Sequence, residues 1–448
     1  MATLETPKIT LVCGRLPLLS AEAWQQVREY GPTFATEFTV LACQLLTFKL
    51  AAHFLGKQGF SEYAVARRVI STIYPVALLG FGVALPRYVA ISAHEQQAGL
   101  CDRFFSAAVW CVGLVAVILL GVMNLAPSRF AYLIYGGGSY GPFVFPISLV
   151  IGGQTFHALC YAYFRGRLQM KPANLLQFLN LAAVPVLAFF VGDRSPKMVL
   201  ERIGWLSVLV SVSALWWTPW RAIGSRCFAE AKTQLRYGVP RVPGDFAQMA
   251  LLGLPTFFVA HIAGVQQAGY VAISISMVLL IGAIFTPVGL ILLPKSSFLF
   301  ARGSVAELRE HVMFLLKMTF AISIALSAVV FFAPGVLVQV LLGPQYGEVA
   351  QIVRLIVPGA VPYSVFLVLR NVLDAFHEHA VTSAFLIMSL CIFCIGALIF
   401  QAKSNGVNPI LFFLLAALVV LGLLTLLETF RVLSDPKSVQ SLGRVSRT

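Results

Sequence analysis

The sequence predicts an all-α integral membrane protein whose 12 transmembrane helices form two similar halves. Apolar residues make up 59% of the chain and charged residues only 11%, whereas a globular domain carries about 25% charged residues. Solidly apolar stretches, each long enough to cross a hydrocarbon core of about 30 Å, recur along the chain. Two segments also resemble each other at an offset of 207 residues.

Each apolar stretch is expected to be a helix, because lipid offers a backbone amide no hydrogen-bond partner. A closed β-barrel would need alternating strands of about 10 residues, and these stretches do not alternate. The predicted spans are 33–55, 65–92, 104–126, 143–164, 174–192, 200–219, 243–263, 270–299, 312–333, 349–374, 380–401 and 407–429.

An internal repeat relates the two halves. Tyr30-Gly31 opens the first copy and Tyr237-Gly238 opens the second. The later matches are predicted loops at 56–63 and 264–270, closing segments Leu85-Pro86-Arg87 and Leu293-Pro294-Lys295, and the prolines Pro127 and Pro334. Both copies begin on the same side, so the repeat is parallel, about an axis along the membrane normal. Two lobes around a shared cleft indicate a transporter that works by alternating access.

The net charge of +14 is informative through its placement. Loops after even-numbered spans and the C-terminal tail hold most of the basic residues, which predicts that both termini are cytosolic in an inner (plasma) membrane. This basic excess is a topology signal, so a nucleic-acid partner is not expected. The predicted divisions are an N-terminal arm (1–30), a first lobe (31–219), a cytosolic linker (220–237), a second lobe (238–430) and a cytosolic basic tail (431–448).

Basic residues inside the spans are the candidate substrate site. A charge at mid-membrane costs at least a few kcal/mol, so it faces a wet interior or a partner. The candidates are Arg67, Arg68, Lys49, Arg241 and Lys317. Snorkelling to a headgroup is the alternative for Lys49, whereas adjacent arginines point about 100° apart and cannot easily share one exit to the membrane surface. A cationic cleft favours an anion such as a diphosphate, because arginine matches phosphate oxygens bidentately.

Two acids inside the spans suggest a second chemistry. Glu37 in the first copy and Asp245 in the second lie 208 residues apart, and a carboxylate in this position either binds a coupling proton or Na⁺ or balances nearby charge. Arg241 with Asp245, and Arg370 with Asp374, are spaced to form ion pairs along one helix face. The sequence leaves these alternatives open.

Prolines inside spans mark candidate hinges, because proline frees a carbonyl and bends a helix. Pro287 and the pair Pro358-Gly359 are the candidates. The Cys391-x-x-Cys394 spacing lies within one apolar span without a second pair, so neither a metal nor a cofactor is predicted. Nucleotide-binding and catalytic motifs were not found in the sequence, and we do not expect an enzyme.

Several short motifs carry a family resemblance over roughly residues 30–430. The first half contributes Phe54-Leu55-Gly56, Gly59-Phe60, Tyr63, Arg67, Leu79-Gly80, Ala84-Leu85-Pro86-Arg87, and Tyr163-Phe164-Arg165-Gly166 with Asn174. The second half contributes Leu235-Arg236-Tyr237-Gly238, Pro240, Pro255, Ala268-Gly269-Tyr270 and Leu293-Pro294. This pattern resembles the polysaccharide-exporter branch, of the O-antigen flippase type, in the multidrug/oligosaccharidyl-lipid/polysaccharide (MOP) superfamily.

The resemblance implies two six-helix bundles around a central V-shaped cavity with a cationic lining, which Lys49, Arg67, Arg68 and Arg241 would supply. It implies a flippase for a prenyl-diphosphate-linked oligosaccharide used in O-antigen, capsule or exopolysaccharide synthesis. The bilayer and a polysaccharide polymerase complex are the implied partners. A lipid II flippase would add two further C-terminal helices. Two alternatives remain open. One is a cation-coupled multidrug antiporter, since such antiporters carry an acid in their first helix and Glu37 resembles it. The other is a non-transporting scaffold of a polysaccharide assembly complex.

Overall fold

The computed structural model describes residues 21–219, 227–285, 304–376, 381–401 and 406–434, together with Val288, Leu292 and Ser296. Within these ranges the chain forms helices and turns and contains no strand. The described residues include 9 helical segments that are long and apolar enough to cross a membrane. The protein is therefore an all-helical, multi-pass membrane protein.

The first half contains eight α-helices. They are α1 (Ala21–Ala77), α2 (Phe81–His94), α3 (Ala98–Leu125), α4 (Pro127–Tyr135), α5 (Val144–Gly166), α6 (Met170–Phe178), α7 (Val184–Leu187) and α8 (Pro196–Trp216). A 3₁₀ segment, Gly138–Phe143, precedes α5, and a π-helical segment, Leu179–Ala183, joins α6 to α7. The predicted arm 1–30 is described only from residue 21, where α1 begins.

The second half continues the same order. Its helices are α9 (Phe228–Gly238), α10 (Val242–Ala283), α11 (Val305–Phe332), α12 (Pro334–Leu341), α13 (Gly347–Ile356), α14 (Ala360–Phe376), α15 (Val381–Gln401) and α16 (Asn408–Ser434). Short 3₁₀ segments occur at Val239–Arg241, Pro344–Tyr346 and Val357–Gly359.

Two glycine kinks replace the predicted loops at 56–63 and 264–270. Gly56 in α1 has φ 68° and Gly264 in α10 has φ 83°, a region of backbone conformation that glycine occupies without steric cost. A straight helix as long as the apolar part of α1, which is 47 residues, would extend about 70 Å, far beyond a bilayer core. Each kinked helix therefore contains one whole predicted span and the beginning of the next. The predicted span 65–92 is divided between α1 and α2, and the total of 12 stays a prediction.

The repeat is visible element by element. In the first half α3 ends at Leu125 and Pro127 begins α4; in the second, α11 ends at Phe332 and Pro334 begins α12. A 3₁₀ segment then follows in each half. The common order agrees with a parallel repeat, in which both halves cross the membrane in the same sense.

Equivalent residues of the two copies meet where α1 packs against α10. Ser61 lies against Gly269, and Arg68 hydrogen-bonds Ser276. Counted from the kinks at Gly56 and Gly264, the members of each pair occupy the same position of their helix. A residue touches its own symmetry mate only near the axis that relates the copies. This part of the α1–α10 contact therefore lies close to the axis of the repeat.

The connection between the halves is partly helical. The predicted linker 220–237 includes α9, which packs on α2 and α3. Gln234 donates to the Phe104 carbonyl at 2.9 Å, and Glu230 forms an ion pair with Arg103. Helix α9 is thus attached to the first half while it leads directly into the second.

Candidate functional site

A cavity of about 650 Å³ lies mainly within the first half and reaches the axis of the repeat. Helices α1, α5, α6, α7 and α8 line most of it, together with the π-helical segment, and α10 supplies the remaining wall. Its charged and amide-bearing lining residues are Gln44, Arg67, Arg68, Gln154 and Gln177. Among the described residues that line this cavity there are two arginines and no carboxylate, so the cavity favours an anion.

Arg67 is held on the cavity wall by aromatic rings. Its guanidinium carbon lies 4.4 Å from the centroid of the Phe48 ring and 6.0 Å from that of Tyr63, distances typical of a cation–π contact. Its Nη1 is buried without a hydrogen-bond partner among the described residues. A buried, unpartnered N–H costs about 1–3 kcal/mol, so a side-chain rotation that gave this group an acceptor would be stabilising.

Arg68 also lines the cavity but is already bonded across the axis. It is only 6% exposed, and its Nη2 donates to the Ala272 carbonyl at 2.7 Å and to Ser276 Oγ at 2.9 Å. Both acceptors are neutral and belong to the second half. The Nε of Arg68, like Arg67 Nη1, is buried without a hydrogen-bond partner among the described residues. Both arginines therefore keep an unpartnered donor, and Arg68 in addition connects the halves.

The structure does not bring the other three predicted basic residues to this cavity. Lys49 and Lys317 are exposed on α1 and α11, and Arg241 lies at the start of α10 against the Tyr237 ring. Lys49 follows Phe48, a lining residue, and the next helical position points about 100° away. Its exposure is that of a side chain able to reach a headgroup.

Glu37 belongs to a chain of hydrogen-bonded polar side chains that the sequence does not predict. Gln177 donates to Glu37 Oε1 at 3.3 Å, and Gln177 Oε1 lies 3.1 Å from His157 Nε2. Asn180 then connects His157 Nδ1, at 3.2 Å, with Ser211 Oγ, at 3.1 Å. Asn180 lies in the π-helical segment, a local geometry frequent at functional sites. In the sequence, the only indication of this chain is that single polar residues interrupt apolar spans.

Asp245 belongs to a separate cluster in the second half. Arg370 lies 3.4 Å from Asp245 and 3.5 Å from Asp374, and it donates to Gln248 Oε1 at 2.8 Å. The predicted Arg370–Asp374 pair is present. The alternative pair Arg241–Asp245 is not formed, because Arg370 on α14 reaches Asp245 instead. Glu37 and Asp245 therefore have different partners, each within its own half.

The candidate hinges have different outcomes. Pro358 and Gly359 lie in the 3₁₀ segment Val357–Gly359, which separates α13 from α14. The helix is therefore interrupted where the sequence predicts a bend, although a hinge motion stays a prediction. Pro287 lies outside the described residues.

Comparisons with known proteins agree with this fold. The profile of a family described as polysaccharide biosynthesis protein matches residues 50–351. An inward-facing multidrug resistance MATE family transporter of the MOP superfamily is similar at TM-score 0.76 and 14% identity, over 89% of this chain and 96% of that one. Its outward-facing counterpart gives 0.64 at 14% identity, over 92% and 96%. The eukaryotic MATE transporter AtDTX14 gives 0.70 at 14% identity, over 92% and 96%. Among curated proteins, none matches the sequence.

Proposed function

We propose that this chain, which belongs to the family of polysaccharide biosynthesis proteins and shares its fold with MATE transporters of the MOP superfamily, is a membrane transporter of that superfamily and a flippase for a lipid-linked oligosaccharide. The cargo would be a prenyl-diphosphate sugar that moves from the cytosolic to the outer leaflet of the plasma membrane. O-antigen, capsule or exopolysaccharide synthesis would use the product.

One observation carries the proposal: the cavity wall holds two arginines and no carboxylate among its described residues. A diphosphate carries at least two negative charges, and a site with low dielectric walls strengthens its attraction to the guanidinium groups. Organic cations, the substrates of a multidrug antiporter of this kind, would be repelled by the same wall. The positive charge of the cavity lining therefore favours an anionic headgroup.

In this mechanism the two arginines have different tasks. Arg67 would turn its unpartnered Nη1, which is buried in this arrangement, towards a phosphate oxygen. Arg68 can exchange its neutral acceptors on α10 for a second phosphate oxygen, because hydrogen bonds to a charged group are about twice as strong. That exchange would release a contact between the halves at the moment the headgroup binds. Outward movement of two negative charges across about 100 mV, inside negative, is favoured by about 4–5 kcal/mol.

A second candidate function is a cation-coupled multidrug antiporter. The polar chain from Glu37 to Ser211 favours it, because such a chain can hold a proton or Na⁺ within the first half. Two of the structures with a similar fold are named as multidrug resistance transporters, which also favours this function. Glu37→Gln should abolish export of cationic dyes if this function is correct, and should leave a potential-driven flippase active.

The test is leaflet exchange of a fluorescent prenyl-diphosphate oligosaccharide in proteoliposomes. Arg67→Gln should slow exchange at least about tenfold, since a charged hydrogen bond contributes about 1.5–3 kcal/mol. Lys49→Gln is the matched control, because it removes the same charge from an exposed position of the same helix, and exchange should stay normal. Equal rates in both variants would refute the assigned cavity. No exchange by the wild type, with surface polysaccharide still dependent on the protein, would favour the scaffold.

A further inference from the structure

Two arginines from different parts of the chain converge on one tyrosine outside the cavity. The guanidinium carbon of Arg87, in α2, lies 4.4 Å from the centroid of the Tyr237 ring, and that of Arg241 lies 3.9 Å from the same centroid. We refer to Arg87, Tyr237 and Arg241 as the Tyr237 cluster. Tyr88 packs edge-on against Tyr237 and stacks on Phe104, which fixes the ring that both arginines use.

The Tyr237 cluster is not neutralised by an ion pair among the described residues, although Asp245 lies close enough to Arg241 to offset part of its charge. In the described ranges, neither Arg87 nor Arg241 has a carboxylate within ion-pairing distance. The nearest acid along the helix, Asp245, pairs with Arg370. Two positive charges so close together repel each other. An anion bound between them would remove this repulsion. If the two arginines only reached separate lipid headgroups, nothing would require both guanidinium groups to contact the same ring.

The geometry leaves the binding edges of both groups available. Stacking on a ring occupies the face of a guanidinium, while its N–H donors project from the edge and match phosphate oxygens in pairs. Arg241 commits only its Nη1, to the Tyr237 carbonyl at 3.3 Å. Arg87 is exposed and Arg241 half-buried, so a ligand can reach both. None of the three residues lines the cavity.

The backbone around the cluster is also fixed. Gly80 packs directly on Gly238, so closely that a Cβ at Gly80 would overlap the Gly238 carbonyl. This contact sets the distance between α2, which carries Arg87, and the end of α9, which carries Tyr237. The positive-inside pattern predicts that this end of the protein is cytosolic.

We propose that the Tyr237 cluster is a binding site for the phosphate group of a lipid phosphoester at the cytosolic membrane surface. The inference rests on the proposed function for one point only, that the ligand is the diphosphate of the cargo, captured before it enters the cavity. The same chemistry could come from an anionic phospholipid of the bilayer, and the experiment separates these sources.

The test uses the full chain in neutral phosphatidylcholine nanodiscs with a benzophenone-bearing farnesyl diphosphate as the probe. Photolabelled peptides should include 80–88 and 235–241. Labelling there should fall about tenfold for each arginine removed in Arg87→Gln and Arg241→Gln. Arg236→Gln is the matched control, since it removes one neighbouring exposed charge and should label normally. Tyr237→Phe should also label normally, whereas Tyr237→Leu, which removes the ring, should not.

Competition identifies the source of the phosphate. Displacement by inorganic pyrophosphate supports a diphosphate ligand, and displacement by phosphatidylglycerol in the nanodisc supports a bilayer phospholipid. Wild-type labelling in the double arginine variant would overturn the site. If that happened while leaflet exchange still required Arg67, the proposed function would stand without the Tyr237 cluster. If the wild type labelled at the cluster but showed no exchange, the site would stand and the flippase proposal would fail.

Discussion

The contact between Ser61 and Gly269 allows a direct test of whether the halves separate. A Cβ placed on Gly269 would lie 2.5 Å from Ser61 Oγ and would also overlap the Ser61 Cα and Cβ atoms. Ordinary contact between such atoms is about 3.5–4.0 Å, so α1 and α10 would have to move apart by about 1 Å. Rotation of a side chain cannot relieve the overlap, because part of it involves the backbone.

Gly269→Ala should therefore destabilise the packed arrangement by about 1–3 kcal/mol. That free energy corresponds to a change of about 5- to 150-fold in the ratio of molecules in which α1 and α10 are packed to those in which they have moved apart. The sequence predicts that this end of the helices faces outwards, since it lies next to the kinks at Gly56 and Gly264 in the predicted outer segments. The variant should thus expose the cavity to the outside more often.

The assay is the labelling rate of a cysteine at Ser71, a lining position, by a membrane-impermeant maleimide added from the outer side. The chain without Ser71→Cys measures labelling of the native cysteines. Gly121→Ala is the matched control, because nothing lies within 4 Å of a Cβ at that helical glycine. Gly269→Ala should speed labelling at least about fivefold. The same rate as in Gly121→Ala would refute the idea that this contact opens.

Two further predictions concern stability, measured as the melting temperature in detergent. Tyr346→Phe removes the hydroxyl that donates to the Ala52 carbonyl at 3.2 Å, and should lower the free energy of unfolding by about 1 kcal/mol; an unchanged melting temperature would mean that this bond contributes nothing. Arg370→Gln leaves Asp245 and Asp374 without their shared cation, and should cost about 1–2 kcal/mol. The second loss should shrink in 1 M salt, and a loss independent of salt would contradict an electrostatic origin.

The sequence predicted where the helices lie along the chain better than it predicted the contacts between them. Apolar length located the helices, and the repeat located equivalent features such as Pro127 and Pro334, because these signals are local. It predicted that the paired arginines of the first half face the interior, since adjacent helical positions cannot easily both reach the membrane surface. Both line the cavity, and their role in substrate binding stays a prediction. The sequence missed the break between α1 and α2, where Leu79 and Gly80 both have positive φ, because a single glycine in an apolar run has no distinctive pattern.

The contacts that decide the charged sites depend on how helices dock. Asp245 has a basic residue four positions earlier, yet it pairs with Arg370, 125 residues away in the chain. Lys49 has the charge expected of a cavity residue, but the orientation of α1 about its axis places the neighbouring residue, Phe48, on the cavity wall instead. His157 was not predicted because its partners come from other helices. Such pairings are fixed by packing between distant segments, which periodicity does not encode.

The pairing of Arg68 with Ser276 bears on how such a chain can arise from a duplicated half. In a homodimer of identical halves, this position would meet its own copy, and two guanidinium groups would face each other in the membrane with no anion between them. Fusion into one polypeptide lets a single copy change. One half can then keep the charge while the other supplies a small hydroxyl to receive it. Covalent linkage thus permits a guanidinium on one side of the axis only, an arrangement that identical subunits could not form.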